Sequence, residues 1–287
     1  MSRKNIFELI NETYDLKSEL ERIKRLFVNE KIVEYAYERY CSVLDAVRLV
    51  GFSTWKNRGR CVDADEFLSA LEYDNNLWRK APYENDELFK LIEIVYNFWY
   101  IAFNYRYATT TFSENGERKK RFFLLKENLD ECLSQYNYKG EYFPDLEQLI
   151  VVEDKPEATA VAEIVDKEVS RKVLRYNHFT LKGDLKAKKE ILVALGSELE
   201  SKRKQLHGID SSLESDIFYM LNNMDLRHNN RAHESKYYKK AVEEMDEGAL
   251  ENWYDELYQM ILLAYLRLEQ EDRAVKVKEL KKIVPGT

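Results

Sequence analysis

The sequence predicts an all-α protein: a helical N-terminal region followed by a C-terminal helical bundle, with at most one short pair of strands. Three observations support this. Apolar residues recur at intervals of three and four along most of the chain, the spacing that lays them on one face of a helix. Helix breakers are scarce, with 9 Gly and 4 Pro in 287 residues. Charged residues make up 34% and hydrophobic ones 45%, including 20 Tyr and 13 Phe, so the chain can fill a core and still give each helix a polar face.

Taken in order, Leu16, Leu20, Ile23 and Phe27 predict a first amphipathic helix, and Val33, Tyr37, Tyr40, Leu44 and Val47 a second that ends near Gly51. A polar connection, Gly51–Cys61, leads to Asp63, which is placed to cap a short helix through Phe67, Leu68 and Leu71. After Pro82 a strongly apolar helix carries Leu88, Leu91, Ile92, Val95, Trp99, Ala102 and Phe103 and is expected at the centre of the N-terminal core. A loop over Thr109–Glu117 precedes a helix through Phe122, Leu125, Leu129, Cys132 and Tyr136. The polar, aromatic run 137–148 and the strand candidate 149–153 mark a change of texture, and the domain boundary is drawn there, as 1–148 and 149–287.

In the second half, Pro156 suits the first turn of a helix reaching about Tyr176. The next helix starts near Asp184, carries Leu185, Leu192, Leu195, Leu199 and Leu206, and closes at Gly208. Ser211 and Glu214 have capping-box spacing before the face Leu213, Ile217, Met220, Leu221 and Met224. A final long helix runs through Leu250, Trp253, Tyr254, Leu257, Ile261, Tyr265 and Leu268, with Trp253, Leu257, Ile261 and Leu262 expected in the C-terminal core or in a dimer contact. The charged tail beyond Gln270 is expected to be only partly ordered.

Charge and motifs narrow the function. A net charge of -7 argues against a protein that coats nucleic acid through a broad cationic surface, but leaves room for a local basic site. Basic clusters lie at Lys56–Arg60, Arg118–Arg121, Lys202–Lys204 and from Arg227 to Lys240. Cys41, Cys61 and Cys132 are too far apart for a disulfide framework or a zinc knuckle. No Gly-rich phosphate loop or G-x-S-x-G elbow occurs, and no metal or organic cofactor is expected. The N-terminal stretch reaches charges too early for a secretory signal, and Met260–Leu268 is too short to span a bilayer; the expected compartment is the cytoplasm.

The segment 222–238, NNMDLRHNNRAHESKYY, breaks two apolar helices with side chains suited to acid–base and phosphate chemistry. A histidine can give and take protons near neutral pH, and an arginine beside it can hold a phosphate and stabilise the charge of a phosphoryl transition state. These two groups suffice to cut RNA by its own 2′-hydroxyl. Arg171 and His178 repeat the pattern less convincingly, because they run from a helix face into a loop.

Arg227, five intervening residues and His233, placed between helices near the end of an all-helical domain, resemble the Arg–His signature of the HEPN superfamily. That resemblance implies a metal-independent endoribonuclease of the kind found in toxin, abortive-infection and anti-phage systems. It also implies a homodimer whose two motifs face a shared RNA cleft. Arg227 and His233 would be catalytic, with His228, Asn229, Asn230 and Arg231 as substrate-binding neighbours. Where the family often has Asn directly after the Arg, this chain has His228. The N-terminal region would then sense a trigger or bind a regulatory partner. The rival expectation is an all-helical binding or scaffolding module, in which 222–238 is a solvated loop whose asparagines cap helices. Catalysis requires Arg227 and His233 to converge on one open cleft, facing their symmetry mates; side chains that diverge, or that pair with carboxylates in a closed surface, favour the binder.

Overall fold

The computed structural model describes residues 15–36, 39–73, 78, 84–109 and 116–284. They form a predominantly helical protein with two short antiparallel strand pairs, divided into compact units 1–154 and 155–287.

The N-terminal unit opens with α1 (Leu16–Lys24), capped by the Asp15 carboxylate, which accepts from the Ser18 N–H at 3.0 Å. The expected second helix is a hairpin in its first part. β1 (Val33–Ala36) pairs with β2 (Arg39–Cys41), and only then does α2 (Val43–Ala46) begin, capped by Ser42. Val33, Tyr40, Leu44 and Val47 satisfy the helical spacing, but Ser42 offers a cap inside that run, and Ile32, Val33, Tyr35 and Tyr40 ahead of it are β-branched or aromatic. Tyr37, Pro82 and the loop core at 110–115 lie outside the described residues. α3 (Ala64–Ala70) has its cap at Asp63, as the spacing predicts.

α4 (Asn85–Thr109) is the core helix: Leu88, Phe89, Leu91, Ile92, Val95, Tyr96, Phe98 and Trp99 are all buried. Trp99 stacks on Phe122 of α5 (Gly116–Ser134) with ring centroids 4.9 Å apart. β3 (Tyr138–Phe143) and β4 (Gln148–Glu153) form the second hairpin. A lone two-stranded hairpin is marginal, and here α4 takes the place of a third strand. Buried Asn97 donates to the Leu149 carbonyl and accepts from its N–H, both at 2.9 Å, and Glu93 accepts from the Val151 N–H at 2.7 Å. The strand at 149–153 therefore belongs to the first unit, and the division falls six residues later than the composition suggests.

In the C-terminal unit the run Pro156–Tyr176 is two helices, α6 (Pro156–Ile164) and α7 (Lys167–Tyr176), because the Asp166 carboxylate caps the second by accepting from the Glu168 and Val169 N–H groups. The next run is also split, into α8 (Leu185–Glu200), capped by Asp184, and α9 (Arg203–Ile209). α10 (Ser211–Asn223) takes its cap from Asp210, which accepts from Leu213 N–H at 3.0 Å, so Glu214 serves elsewhere. A Cβ at Gly196 of α8 would meet Leu221 Cδ1 of α10 at 2.6 Å, so the glycine lets these two helices approach closely.

After α11 (Lys240–Glu243), α12 runs from Glu247 to Ile283, carrying the charged tail as helix. Leu257, Ile261 and Leu262 are buried as expected. Trp253 is not: it is 47% exposed, and Tyr254 and Tyr258 take the core positions on that stretch. Tyr258 stacks on Tyr176 at 4.1 Å. Lys188 enters this core because it bonds Glu251 and Asp255 at 2.8 and 2.7 Å; a buried ammonium needs such partners. No helix among the described residues is long and apolar enough to cross a membrane, and all three cysteines are free.

Candidate functional site

The polar segment between α10 and α12 is irregular but tightly organised. The chain turns at Asp225, whose φ of +57° is in the left-handed region that Asp tolerates better than most residues. Its hub is Asn230, fully buried: Oδ1 accepts from Asp225 N–H at 2.9 Å, Nδ2 donates to the Tyr237 carbonyl at 2.8 Å, and its own carbonyl accepts from Lys239 N–H at 2.7 Å. Asn230 was expected to meet substrate. The structure corrects this, since its side-chain amide is spent on two backbone groups of the loop and has no surface.

Arg231 is also largely structural. Its Nη2 donates to the Met245 carbonyl at 3.2 Å and its N–H to Asp225 Oδ1 at 3.4 Å. His228 lies flat on Tyr237, centroids 3.8 Å apart and planes 13° from parallel, while Asn229 is exposed.

The two expected catalytic residues face different partners, Arg227 the Glu200 carboxylate and His233 that of Glu243. His233 is the more open, with 72% of its side chain exposed. Its Nε2 meets Glu243 Oε1 at 2.8 Å, and the ring leans on Tyr238, whose hydroxyl donates to Glu243 Oε2 at 2.6 Å. That hydrogen bond and the charge behind it push the Tyr238 phenol up to about 12, so it remains a donor at neutral pH. Glu243 thus fixes the imidazole through one nitrogen, which places Nδ1 on the far side of the ring from the carboxylate.

Arg227 points into a second group of charges that the sequence did not assemble. Its Nη1 bonds Glu200 Oε2 at 2.9 Å, and its guanidinium lies over Phe218, 5.5 Å from the ring centroid. Arg203 shares both partners: it sits 4.1 Å from the same centroid and bonds Glu200 Oε1 at 3.3 Å. Arg203 also bonds Glu214 Oε1 at 2.5 Å, and Glu214 Oε2 meets His207 Nδ1 at 3.0 Å. The network therefore runs Arg227, Glu200, Arg203, Glu214, His207, from the loop across the ends of α8, α9 and α10. The His207 hydrogen bond and the Arg203 pairing hold the Glu214 carboxyl below the usual range, against the opposing effect of burial.

Phe218, Glu243 and Tyr238 gave no sign in the sequence, because each is an ordinary helix or loop residue until the chain folds. Glu214 was masked by its capping-box spacing. The alternative pair Arg171/His178 is engaged locally: His178 Nδ1 meets Thr180 Oγ1 at 2.7 Å and caps a short turn, and Arg171 bonds Glu168. Among the described residues no three His, Cys, Asp or Glu side chains group as a metal site.

Compared with protein-family models, curated proteins and solved structures, the chain matches none.

Proposed function

We propose that the C-terminal unit acts on RNA as a HEPN-type, metal-independent endoribonuclease. In this reading Arg227 binds a phosphodiester and stabilises its transition state, and His233 moves the proton. The observation that carries the reading is the exposed imidazole of His233 fixed through Nε2 on Glu243. A largely exposed histidine oriented by a carboxylate through one nitrogen is an arrangement that suits proton transfer. Pairing of two copies belongs to the same proposal, because one chain offers Arg227 and His233 to different partners and a facing copy would complete the cleft. The N-terminal unit is assigned to regulation or partner binding, and anti-phage or toxin defence is the setting the motif suggests.

A non-catalytic RNA-binding version of the site is the second reading. The divergence of Arg227 and His233 onto separate carboxylates, Glu200 and Glu243, favours it, since an arginine held by a carboxylate is not free to meet a transition state.

The test is incubation of the purified full chain with mixed RNAs in EDTA, with analysis of product ends. The proposed reaction leaves 2′,3′-cyclic phosphate, because the RNA's own hydroxyl attacks. Cleavage that needs added Mg²⁺ contradicts this mechanism. Binding without cleavage, lost in Arg227→Ala, selects the second reading.

A further inference from the structure

Glu200 is placed oddly. It is the last residue of α8, where the negative end of the helix dipole opposes a carboxylate, and 46% of its side chain is exposed. Its own helix gives it no reason to hold a fixed position. Two arginines do: Oε1 goes to Arg203 Nη1 and Oε2 to Arg227 Nη1, at 3.3 and 2.9 Å. One carboxylate across two guanidiniums is the geometry that the two non-bridging oxygens of a phosphodiester would adopt.

Arg203 keeps its aim without Glu200, and Arg227 shares the aromatic face it rests on. Both lie against Phe218, which is itself buried, so their guanidinium carbons are within about 10 Å of one another by their distances to its centroid. Arg203 has a second anchor in Glu214, only 7% of whose side chain is exposed and which also takes His207. Glu214 binds Arg203 through Nε and leaves the outer nitrogens to Glu200. Lys202 and Lys204, exposed on either side of Arg203, add positive potential in a chain whose net charge is -7.

We propose that Arg203 and Arg227, set against Phe218, form a clamp for one RNA phosphate, and that Glu200 is an internal anion that occupies the clamp until RNA displaces it. The inference rests on the reading that Arg227 meets RNA phosphate. It adds Arg203 as a binding residue and Glu200 as a built-in competitor. The RNA phosphate replaces one exposed carboxylate, and the buried Glu214 keeps Arg203 aimed throughout.

The experiment measures binding of a short labelled single-stranded RNA by fluorescence anisotropy. It uses the full chain in EDTA, with His233→Ala present throughout so that the RNA stays intact. Glu200→Gln keeps the size of the side chain and removes its charge; it should bind roughly 3- to 10-fold more tightly. Arg203→Ala should bind roughly tenfold more weakly and lower the slope of log affinity against log salt by about one. Arg203→Lys, which keeps the charge but not the fork, should fall between. Circular dichroism checks that each variant folds. Unchanged or weaker binding by Glu200→Gln, an unaffected Arg203→Ala, or no RNA binding by any form overturns the clamp. If Arg227→Ala alone weakens binding, the clamp fails and the proposed function stands. If Glu200→Gln tightens binding but the chain with His233 intact cuts no RNA, the clamp stands and the catalytic reading fails.

Discussion

A polar, cation-bearing connection in the N-terminal unit and another in the C-terminal unit each set basic residues beside aromatic ones in the sequence. The first, around Trp55–Arg60, is consumed by packing. Trp55 Nε1 donates to the Glu147 carbonyl at 3.0 Å, Asn57 Nδ2 to the Leu146 and Glu147 carbonyls, and Lys56 pairs with the Glu147 carboxylate at 2.8 Å. The second, Met224–Lys239, satisfies itself through one buried asparagine and leaves Arg227 and His233 at its edges. What separates a structural loop from a candidate site is where its hydrogen-bonding capacity is spent. In the first, the side chains pin the loop to a distant turn. In the second, Asn230 and Arg231 do the pinning, and Arg227 and His233 reach out to carboxylates of other elements, Glu200 and Glu243.

The comparison breaks most severely if the bundle beneath the second loop is removed. Leu257 is fully buried in the C-terminal core, and Leu257→Asp should cost more than about 4 kcal/mol by leaving a cavity and burying a charge. Trp55, Trp78 and Trp99 are all buried in the N-terminal unit, while Trp253 is half exposed. Far-ultraviolet ellipticity should therefore fall sharply while tryptophan emission shifts little. Unchanged ellipticity would remove the assignment of the core.

A subtler break is Asn230→Ala. Losing the amide leaves the Asp225 N–H and the Tyr237 carbonyl without their partner, at about 1–3 kcal/mol. Chemical denaturation should report that loss, and hydrogen exchange should show the loop opened. An equal effect from Asn57→Ala in the first loop would erase the contrast drawn here.

Much of this contrast was not legible in the sequence. Periodicity reveals which face of a helix is apolar, and it located α4, α5, α10 and, Trp253 excepted, the buried stripe of α12. It could not reveal that Val33–Cys41 pairs as a hairpin, because β-branched and aromatic residues fit both periods over so short a run. Nor could it show that Asp166 and Lys202 divide two apparent helices, since a cap and a surface residue look alike before folding. Within the site, Arg227 and His233 were legible as a motif. Their carboxylates were not, because Glu200 and Glu243 lie on helices brought to them by tertiary packing. Asn230 was visible but its role was inverted: an asparagine in a polar loop can face solvent or be swallowed, and only the burial decides.

The Arg203–Glu214–His207 arm can be sharpened by pH. The folded state holds the Glu214 carboxyl below its usual value near 4.5, so the native protein binds that proton less readily than the unfolded chain. Its contribution is therefore complete above pH 4.5 and fades as pH falls through the lowered folded value. Glu214→Gln should lower Tm at pH 7 by about 3 °C, and the gap from the parent should narrow below pH 4.5. A gap that stays constant across that range would show that charge plays no part. The smallest effect belongs to the first loop. Lys56→Ala and Arg58→Ala should each change RNA affinity by less than about twofold, because Lys56 is engaged by Glu147 and Arg58 by the Cys61 carbonyl.

The central claim is that the second loop presents a working histidine. It is tested by the single-turnover rate at which His233→Ala cuts a labelled RNA in EDTA, set beside the parent protein. Because His233 is exposed, its removal should change stability by no more than about 0.5 kcal/mol. The rate should fall roughly 10²–10⁴-fold, the usual contribution of a positioned proton-transfer group. A folded His233→Ala that cuts at the parental rate would contradict the account.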